Sequence, residues 1–118
     1  MKEIFLEEIK YSVIIPVFNE EGTLLALCKS LKEVMDNLKE KYEIIFINDG
    51  STDSTPIRLN ELAKGYSNIR TIHFAINNGQ GKAIEEGFRN ANGEIVLTMD
   101  GDLQNDPLDI PRLISEIN

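Results

Sequence analysis

Four short apolar runs, each followed by a helical pattern, constrain the fold of this chain more than any other feature. The runs are rich in isoleucine and valine, as strands buried on both faces tend to be, and they cover residues 11–17, 42–48, 69–75 and 94–100. Strands that alternate with helices in this way are joined by right-handed crossovers. The sequence therefore predicts an α/β fold, with a mainly parallel sheet of four βα units and helices on both faces.

Composition limits what such a fold could serve. The 118 residues are 42% hydrophobic, which suits one core in one small domain, and the net charge of -8 argues against binding to nucleic acid. Cys28 falls within an apolar helical stripe, which indicates a buried, reduced thiol in a reducing compartment. Residues 1–10 contain interspersed glutamates, so we expect a short lead-in rather than a signal peptide or a membrane span. No stretch is apolar enough to predict a transmembrane helix.

Polar clusters follow each of the four predicted strands. They cover residues 16–21, 48–53, 77–82 and 100–106. Ligands of open α/β sheets bind at the carboxyl ends of the strands, near the point where strand order reverses. The sequence therefore predicts that the four loops converge on one crevice.

The fourth cluster carries two aspartates separated by one glycine. Residues i and i+2 of an extended chain point to the same side, so Asp100 and Asp102 would converge, and Gly101 would allow a ligand to approach. Such oxygen donors suit Mg²⁺ or Mn²⁺ bound to phosphate oxygens, with Gln104 as a third ligand. The alternative is an acidic turn that leads to a helix capped by Asp106.

The first two clusters offer groups that could hold a nucleotide. A base could pack on Phe18 while Glu20 binds a ribose or a base edge; alternatively, Asn19 only caps the following helix. Asp49 could accept a hydrogen bond from a base N–H, or it could belong to a turn that satisfies local backbone groups.

The third cluster has two glycines before a predicted helix and a lysine in its first turn. Gly79 and Lys82 thus resemble a phosphate cradle, although the spacing differs from that of a P-loop, and a glycine-rich turn with a solvated lysine is the alternative. His73 lies within a predicted strand, which favours a structural role.

Three segments together carry a family resemblance. VIIPVFNEEGTL, IIFINDGSTDST and NNGQGKAIEEGFRNANGEIVLTMDGDLQNDP resemble the N-terminal half of a family 2 glycosyltransferase with a Rossmann-like GT-A fold. The end, DGDLQNDPLDIPRLI, is similar to the polyprenyl-phosphate branch of that family. The resemblance implies that residues 11–118 form the nucleotide-sugar-binding part of a domain roughly twice as long, truncated at its C-terminus.

The resemblance also implies roles for residues at the matching positions. The nucleotide would be held by Pro16, Phe18, Glu20 and Asp49, and the catalytic metal on the diphosphate by Asp100, Asp102 and Gln104. Family members transfer a sugar with inversion at the anomeric carbon. Two positions depart from the usual pattern: Asn48 replaces an acidic residue, and Phe18 replaces a tyrosine.

The implied partners are a UDP- or GDP-sugar and an acceptor, either a polyprenyl phosphate or another glycan acceptor. Such an enzyme would work in the cytoplasm at the inner face of the membrane, in cell-envelope glycan synthesis, and an exposed apolar surface would favour a homodimer. One alternative is a non-catalytic nucleotide or nucleotide-sugar binding module. Another is a Mg²⁺-binding receiver-like signalling domain. A receiver has an acidic pair just after the first strand and an aspartate at the end of the third, and the Asn19-Glu20 pair and Ala75 at those places disfavour it.

Overall fold

A computed structural model describes residues 8–99 and 110–117 of the chain. Strands and helices alternate throughout, in the order β1 (Tyr11–Val17), α1 (Leu24–Asn37), β2 (Tyr42–Asp49), α2 (Thr55–Gly65), β3 (Ile69–Phe74), α3 (Gln80–Asn90), β4 (Ile95–Thr98) and α4 (Ile110–Ile117). The three strand pairings among the described residues are all parallel. The predicted α/β fold with four parallel strands is confirmed.

The strand order of the sheet is β3-β2-β1-β4. The chain moves from β1 to β2 to β3 in one direction and then returns to the other side of β1. Right-handed crossovers that run in opposite directions place their helices on opposite faces of the sheet. The order reverses between β1 and β4, which makes the carboxyl ends of these two strands the expected position of a ligand crevice.

In the described part of the chain, two apolar clusters fill the two faces of the sheet. The larger one joins β1 and β2 to α1, α2 and α4, with Leu24, Leu31, Phe46, Leu59 and Ile114 among its buried members. The smaller one joins the opposite face of the sheet to α3 through Ile14, Ile45, Ile47 and Ala83. Every residue of β1 and β2 is buried, as a parallel sheet covered on both faces requires.

The helix starts differ in detail from the sequence patterns. Thr23 precedes α1 without a capping side-chain hydrogen bond, and Asn19 lies four residues further back. Ahead of Pro56 the sequence suggests Thr55 as the cap of α2, but Thr55 is the first residue of the helix and Ser54 occupies the capping position. Cys28 is buried in the larger cluster, as predicted, and burial raises the pKa of its thiol.

Glu43 is a buried carboxylate at the amino ends of the strands, and it has several donors. It accepts hydrogen bonds from the Ser12 hydroxyl (2.6 Å), the Arg70 guanidinium (2.7 Å) and the Asn92 backbone N–H (2.7 Å). Burial works to raise the pKa of Glu43, but these donors outweigh it and hold the pKa below its usual value of 4.5. Gly93 donates its N–H to the Ser12 hydroxyl (2.7 Å), which completes the network.

Candidate functional site

The loops after β1, β2 and β3 lie at the same edge of the sheet. Val17 pairs with Asn48, and Asn48 pairs with His73, so these three strands end side by side. β4 ends at Thr98, and the following Met99 is buried and donates its N–H to the carbonyl of Ile14. This arrangement brings together the first three of the four predicted clusters.

The loops after β1 and β2 are hydrogen-bonded to each other through Asn19. Its backbone N–H donates to the Ser51 hydroxyl (3.0 Å), and its side-chain carbonyl accepts from the Thr52 N–H (2.8 Å). Asn19 has a φ of +51°, a left-handed conformation that asparagine tolerates better than most residues. Asn19 therefore links two loops and does not cap α1.

The next two residues continue this connection. Glu20 donates its N–H to the Thr55 hydroxyl (2.9 Å), and the Glu21 carboxylate accepts from the Ser54 N–H (2.9 Å). The Glu21 N–H in turn donates to Asp53 (3.4 Å). Desolvation works to raise the pKa of Asp53, but hydrogen bonds from Thr55 and Glu21 outweigh it and hold this pKa below its usual 3.8. We call residues 19–21 and 51–55 the loop clasp.

Asp49 connects β2 to the third loop. Its side-chain oxygens accept from the backbone N–H groups of Asn78 (2.7 Å) and Gly79 (3.1 Å), directly before α3. A carboxylate at this position also interacts favourably with the positive end of the helix dipole. Each oxygen can accept a second hydrogen bond, so contact between Asp49 and a base N–H stays a prediction.

Gly50 brings the second and third loops into close contact. Its φ is +72°, and a Cβ built there would lie 2.3 Å from the backbone nitrogen of Asn77. Gly79 also has a positive φ (+93°) and directly precedes α3, whose exposed Lys82 lies in the first turn. Two N–H groups of the predicted phosphate cradle thus bind Asp49, and a phosphate role for Gly79 and Lys82 stays a prediction.

His73 joins the ends of β2 and β3. Its Nδ1 lies 3.0 Å from the Asn48 side-chain nitrogen, and its Nε2 lies 2.9 Å from the Asn60 side-chain oxygen. The other end of the Asn48 amide accepts from the Ser51 N–H (2.9 Å). Asn48, which replaces the usual acidic residue, therefore holds the loop clasp from the end of β2.

The predicted nucleotide contacts lie around this structure. Phe18 is 42% exposed and directly precedes Asn19, so its ring has a free surface. The Glu20 carboxylate accepts from the Thr23 hydroxyl (3.0 Å) and is partly buried. Pro16 is buried within β1, opposite Ile47, and shapes the strand rather than the surface. Their roles in binding stay predictions.

The predicted metal ligands Asp100, Asp102 and Gln104, and also Gly101, lie outside the residues that the structure describes. Within residues 8–99 and 110–117, no three His, Cys, Asp or Glu side chains gather as a metal site would require. Over the same residues, no helix is long and apolar enough to cross a membrane. The metal site stays a prediction.

A groove of about 1050 Å³ lies at the opposite edge of the sheet, where Tyr42, Tyr66 and Arg70 are among the lining residues. Arg70 is bound there to Glu43, and the Tyr42 hydroxyl donates to Asp36 (2.7 Å). These polar groups are already paired, and the carboxyl ends of the strands lie elsewhere. We therefore place the candidate site at the loop clasp and not in this groove.

Comparison with known proteins gives a family match over almost the whole chain. Residues 12–118 match the model described as glycosyl transferase family 2. The chain is 35% identical to the dodecaprenyl-phosphate galacturonate synthase of Rhizobium johnstonii, over 95% of this chain and 33% of that protein. It is 44% identical to the undecaprenyl-phosphate 4-deoxy-4-formamido-L-arabinose transferase of Aeromonas hydrophila, over 87% of this chain and 32% of that protein.

Solved structures show the same fold. Glucosyl-3-phosphoglycerate synthase from Mycobacterium tuberculosis, solved with Mn²⁺, UDP and phosphoglyceric acid, is 29% identical to the chain, with a TM-score of 0.72. The match covers 92% of this chain and 39% of that one. The chain spans about a third of the length of the curated relatives it matches.

Proposed function

Because the chain belongs to glycosyl transferase family 2, we propose that the protein is a metal-dependent transferase that moves a sugar from a nucleoside-diphosphate sugar to a polyprenyl phosphate, with inversion. The names of the two curated relatives both include a polyprenyl phosphate, which supports this acceptor class. We place its activity in the cytoplasm, at the inner face of the membrane. Membership of glycosyl transferase family 2 excludes the alternative of a receiver-like signalling domain.

One observation carries the proposal: three loops are hydrogen-bonded together at the carboxyl edge of a parallel sheet, beside the point where strand order reverses. Asn19 joins the first loop to the second, and Asp49 joins the second to the third. Such an edge is where open α/β sheets bind nucleotides. Loops already held together lose little entropy when a ligand binds, which favours affinity.

The residues of this edge would divide the work of binding. Phe18 would pack on the base, Asp49 and Glu20 would accept hydrogen bonds from base or ribose, and Lys82 would lie toward the diphosphate. Asp100, Asp102 and Gln104 offer the oxygen donors that Mg²⁺ and Mn²⁺ prefer, and a cation there would stabilise the negative charge of the leaving diphosphate. The acceptor phosphate is already anionic, so the reaction needs no strong general base.

Titration with nucleotide sugars tests the binding half of the proposal. We expect UDP- or GDP-sugar to bind in the presence of Mn²⁺ and to bind much more weakly without it. Asp102→Ala should remove this dependence on Mn²⁺, whereas Glu61→Ala, which removes an exposed carboxylate on α2, should leave it unchanged. Absence of binding, or binding that Asp102→Ala does not alter, would contradict the proposal.

Release of nucleoside diphosphate tests the catalytic half. We expect release from the bound nucleotide sugar when a polyprenyl phosphate is supplied, and a new glycosyl phosphate in the lipid fraction. Mn²⁺-dependent binding with neither product would support the alternative, a non-catalytic nucleotide-sugar binding module. Product formed without any lipid acceptor would show that the proposed acceptor class is wrong.

A further inference from the structure

Asn19 makes hydrogen bonds that its position in the sequence does not predict. It lies between Phe18 and Glu20, two candidate nucleotide contacts, yet its own side chain points to the neighbouring loop. The side-chain oxygen accepts from both the N–H (2.8 Å) and the hydroxyl (3.4 Å) of Thr52. The Asn19 N–H donates to Ser51 in return.

Two requirements meet at this position. The backbone is left-handed, with a φ of +51°, which aspartate, asparagine and glycine adopt at little cost. The side chain must also present an acceptor to the Thr52 N–H, which glycine cannot do. Aspartate would meet both requirements but would add a charge beside Glu21 and Asp53, so asparagine fits best.

We propose that Asn19 is a positioning residue for the donor nucleotide: it holds the loop after β1 against the loop after β2, so that Phe18 and Glu20 face the bound nucleotide. This inference rests on the proposed function. The Asn48 amide supports the same loop by accepting from the Ser51 N–H (2.9 Å). Asn19 thus connects the candidate binding residues to the buried end of β2.

The primary test is Asn19→Gly, which preserves the backbone conformation and removes only the side-chain acceptor. We expect affinity for UDP or GDP, each measured by calorimetry with Mn²⁺, to fall about fivefold, the usual effect of losing one hydrogen bond. In the transfer assay, KM for the nucleotide sugar should rise while kcat changes little. The melting temperature should change little, because the lost bond is exposed.

Lys39→Gly is the matched control. Among the described residues, Lys39 is the other non-glycine residue with a positive φ (+57°), and it lies beyond the far end of α1. We expect this substitution to leave nucleotide affinity unchanged. Equal losses in both variants would show a general effect of glycine and would overturn the positioning role.

A double-mutant cycle tests whether Asn19 and Ser51 act together. Ser51→Ala removes the hydroxyl that accepts from the Asn19 N–H. If the clasp is one unit, the double variant should lose less affinity than the product of the two single losses, because breaking either part loosens the whole. Losses that multiply would mean two independent effects and would contradict the proposal.

The outcomes separate this inference from the proposed function. If the unchanged protein binds neither UDP nor GDP with Mn²⁺, the proposed function fails. If it binds one of them and Asn19→Gly binds equally well, only the positioning role of Asn19 fails.

Discussion

Replacing Glu43 by glutamine would preserve the shape of a buried side chain and remove its charge. One carboxylate oxygen accepts from Ser12 and Asn92, and the other accepts from Arg70. Glutamine has one oxygen and one NH₂ group. Whichever way its amide is turned, a donor therefore faces a donor within the network, because the Asn92 N–H and the Arg70 guanidinium, which contact different oxygens of Glu43, can only donate.

The structure gives the size of the effect. A hydrogen bond to a charged group contributes about 1.5–3 kcal/mol, and a buried donor left without an acceptor costs about 1–3 kcal/mol. The Glu43 side chain is 3% exposed, so water cannot replace the lost acceptor, whereas that of Arg70 is 38% exposed and can be solvated. We therefore expect the free energy of unfolding to fall by about 3 kcal/mol, equivalent to a Tm lowered by roughly 10–20 °C.

Urea unfolding followed by circular dichroism at neutral pH would measure this loss. Glu85→Gln is the matched control, because Glu85 forms an exposed ion pair with Arg89 at 3.5 Å on the surface of α3. Such a pair contributes about 0.5 kcal/mol or less. The contrast between the two variants isolates the effect of burial from the effect of the substitution itself.

The pH dependence provides a second measurement. The pKa of Glu43 is lowered in the folded protein, so its charge stabilises the fold above the unfolded-state pKa, and this contribution is lost as pH falls through the folded-state pKa. The difference between the unchanged protein and Glu43→Gln should therefore be largest near neutral pH and shrink in acid. A loss no larger than that of Glu85→Gln, or a difference that acid does not change, would refute the reasoning.

Three further substitutions test the packing and the site. Gly50→Ala should lower the free energy of unfolding, measured in urea, by at least about 2 kcal/mol, because Gly50 has a positive φ and an added Cβ would lie 2.3 Å from backbone atoms. Gly22→Ala, with open space around it, should cost far less. Equal losses in the two variants would contradict the predicted backbone contact. Asp49→Asn leaves one side-chain oxygen for the two backbone N–H groups of Asn78 and Gly79. Amide hydrogen exchange at one of these two residues should therefore become faster, and unchanged protection at both would count against their hydrogen bonds to Asp49. Leu31→Ala, at a fully buried position, should cost about 3 kcal/mol by thermal unfolding, and a loss under about 1 kcal/mol would mean a looser core.

Local pattern was sufficient to predict the strands and the main helix. The first run matches β1, and the buried face of α1 comprises the same apolar residues that the helical period selects, such as Leu27 and Leu31. These features depend on periodicity and burial alone. The fourth apolar run, residues 94–100, predicted a longer strand than the structure has, since β4 covers only Ile95–Thr98.

Contacts between loops could not be predicted in the same way. Asn19 looked like a helix cap because capping depends on nearby sequence, whereas its actual partners, Ser51 and Thr52, lie more than thirty positions away. Their proximity follows from the pairing of β1 with β2, which no local pattern reveals. The metal-binding prediction at Asp100 and Asp102 stays untested, since these residues lie outside the described part.

The Glu43 network did leave a signal in the sequence. Ser12, Glu43 and Arg70 are each the second residue of a strand, and each interrupts a mainly apolar run. A buried acid requires partners, so an acid, a hydroxyl and a base near the starts of adjacent strands indicate a shared network. Ser12 pairs directly with Glu43, and Arg70 pairs with Ile45, two residues further along β2. A comparison of the first residues of the predicted strands therefore indicates the Glu43 network.

The loop clasp has a consequence for redesign of the chain. Its hydrogen bonds pair residues 19–21 with residues 51–55, so a single residue inserted in either segment would shift these pairings. The exposed turn at Lys39 and Glu40 lies at the other edge of the sheet. A reporter domain or new chain termini would therefore be tolerated at that turn, which makes it the preferred attachment point for probes of nucleotide binding.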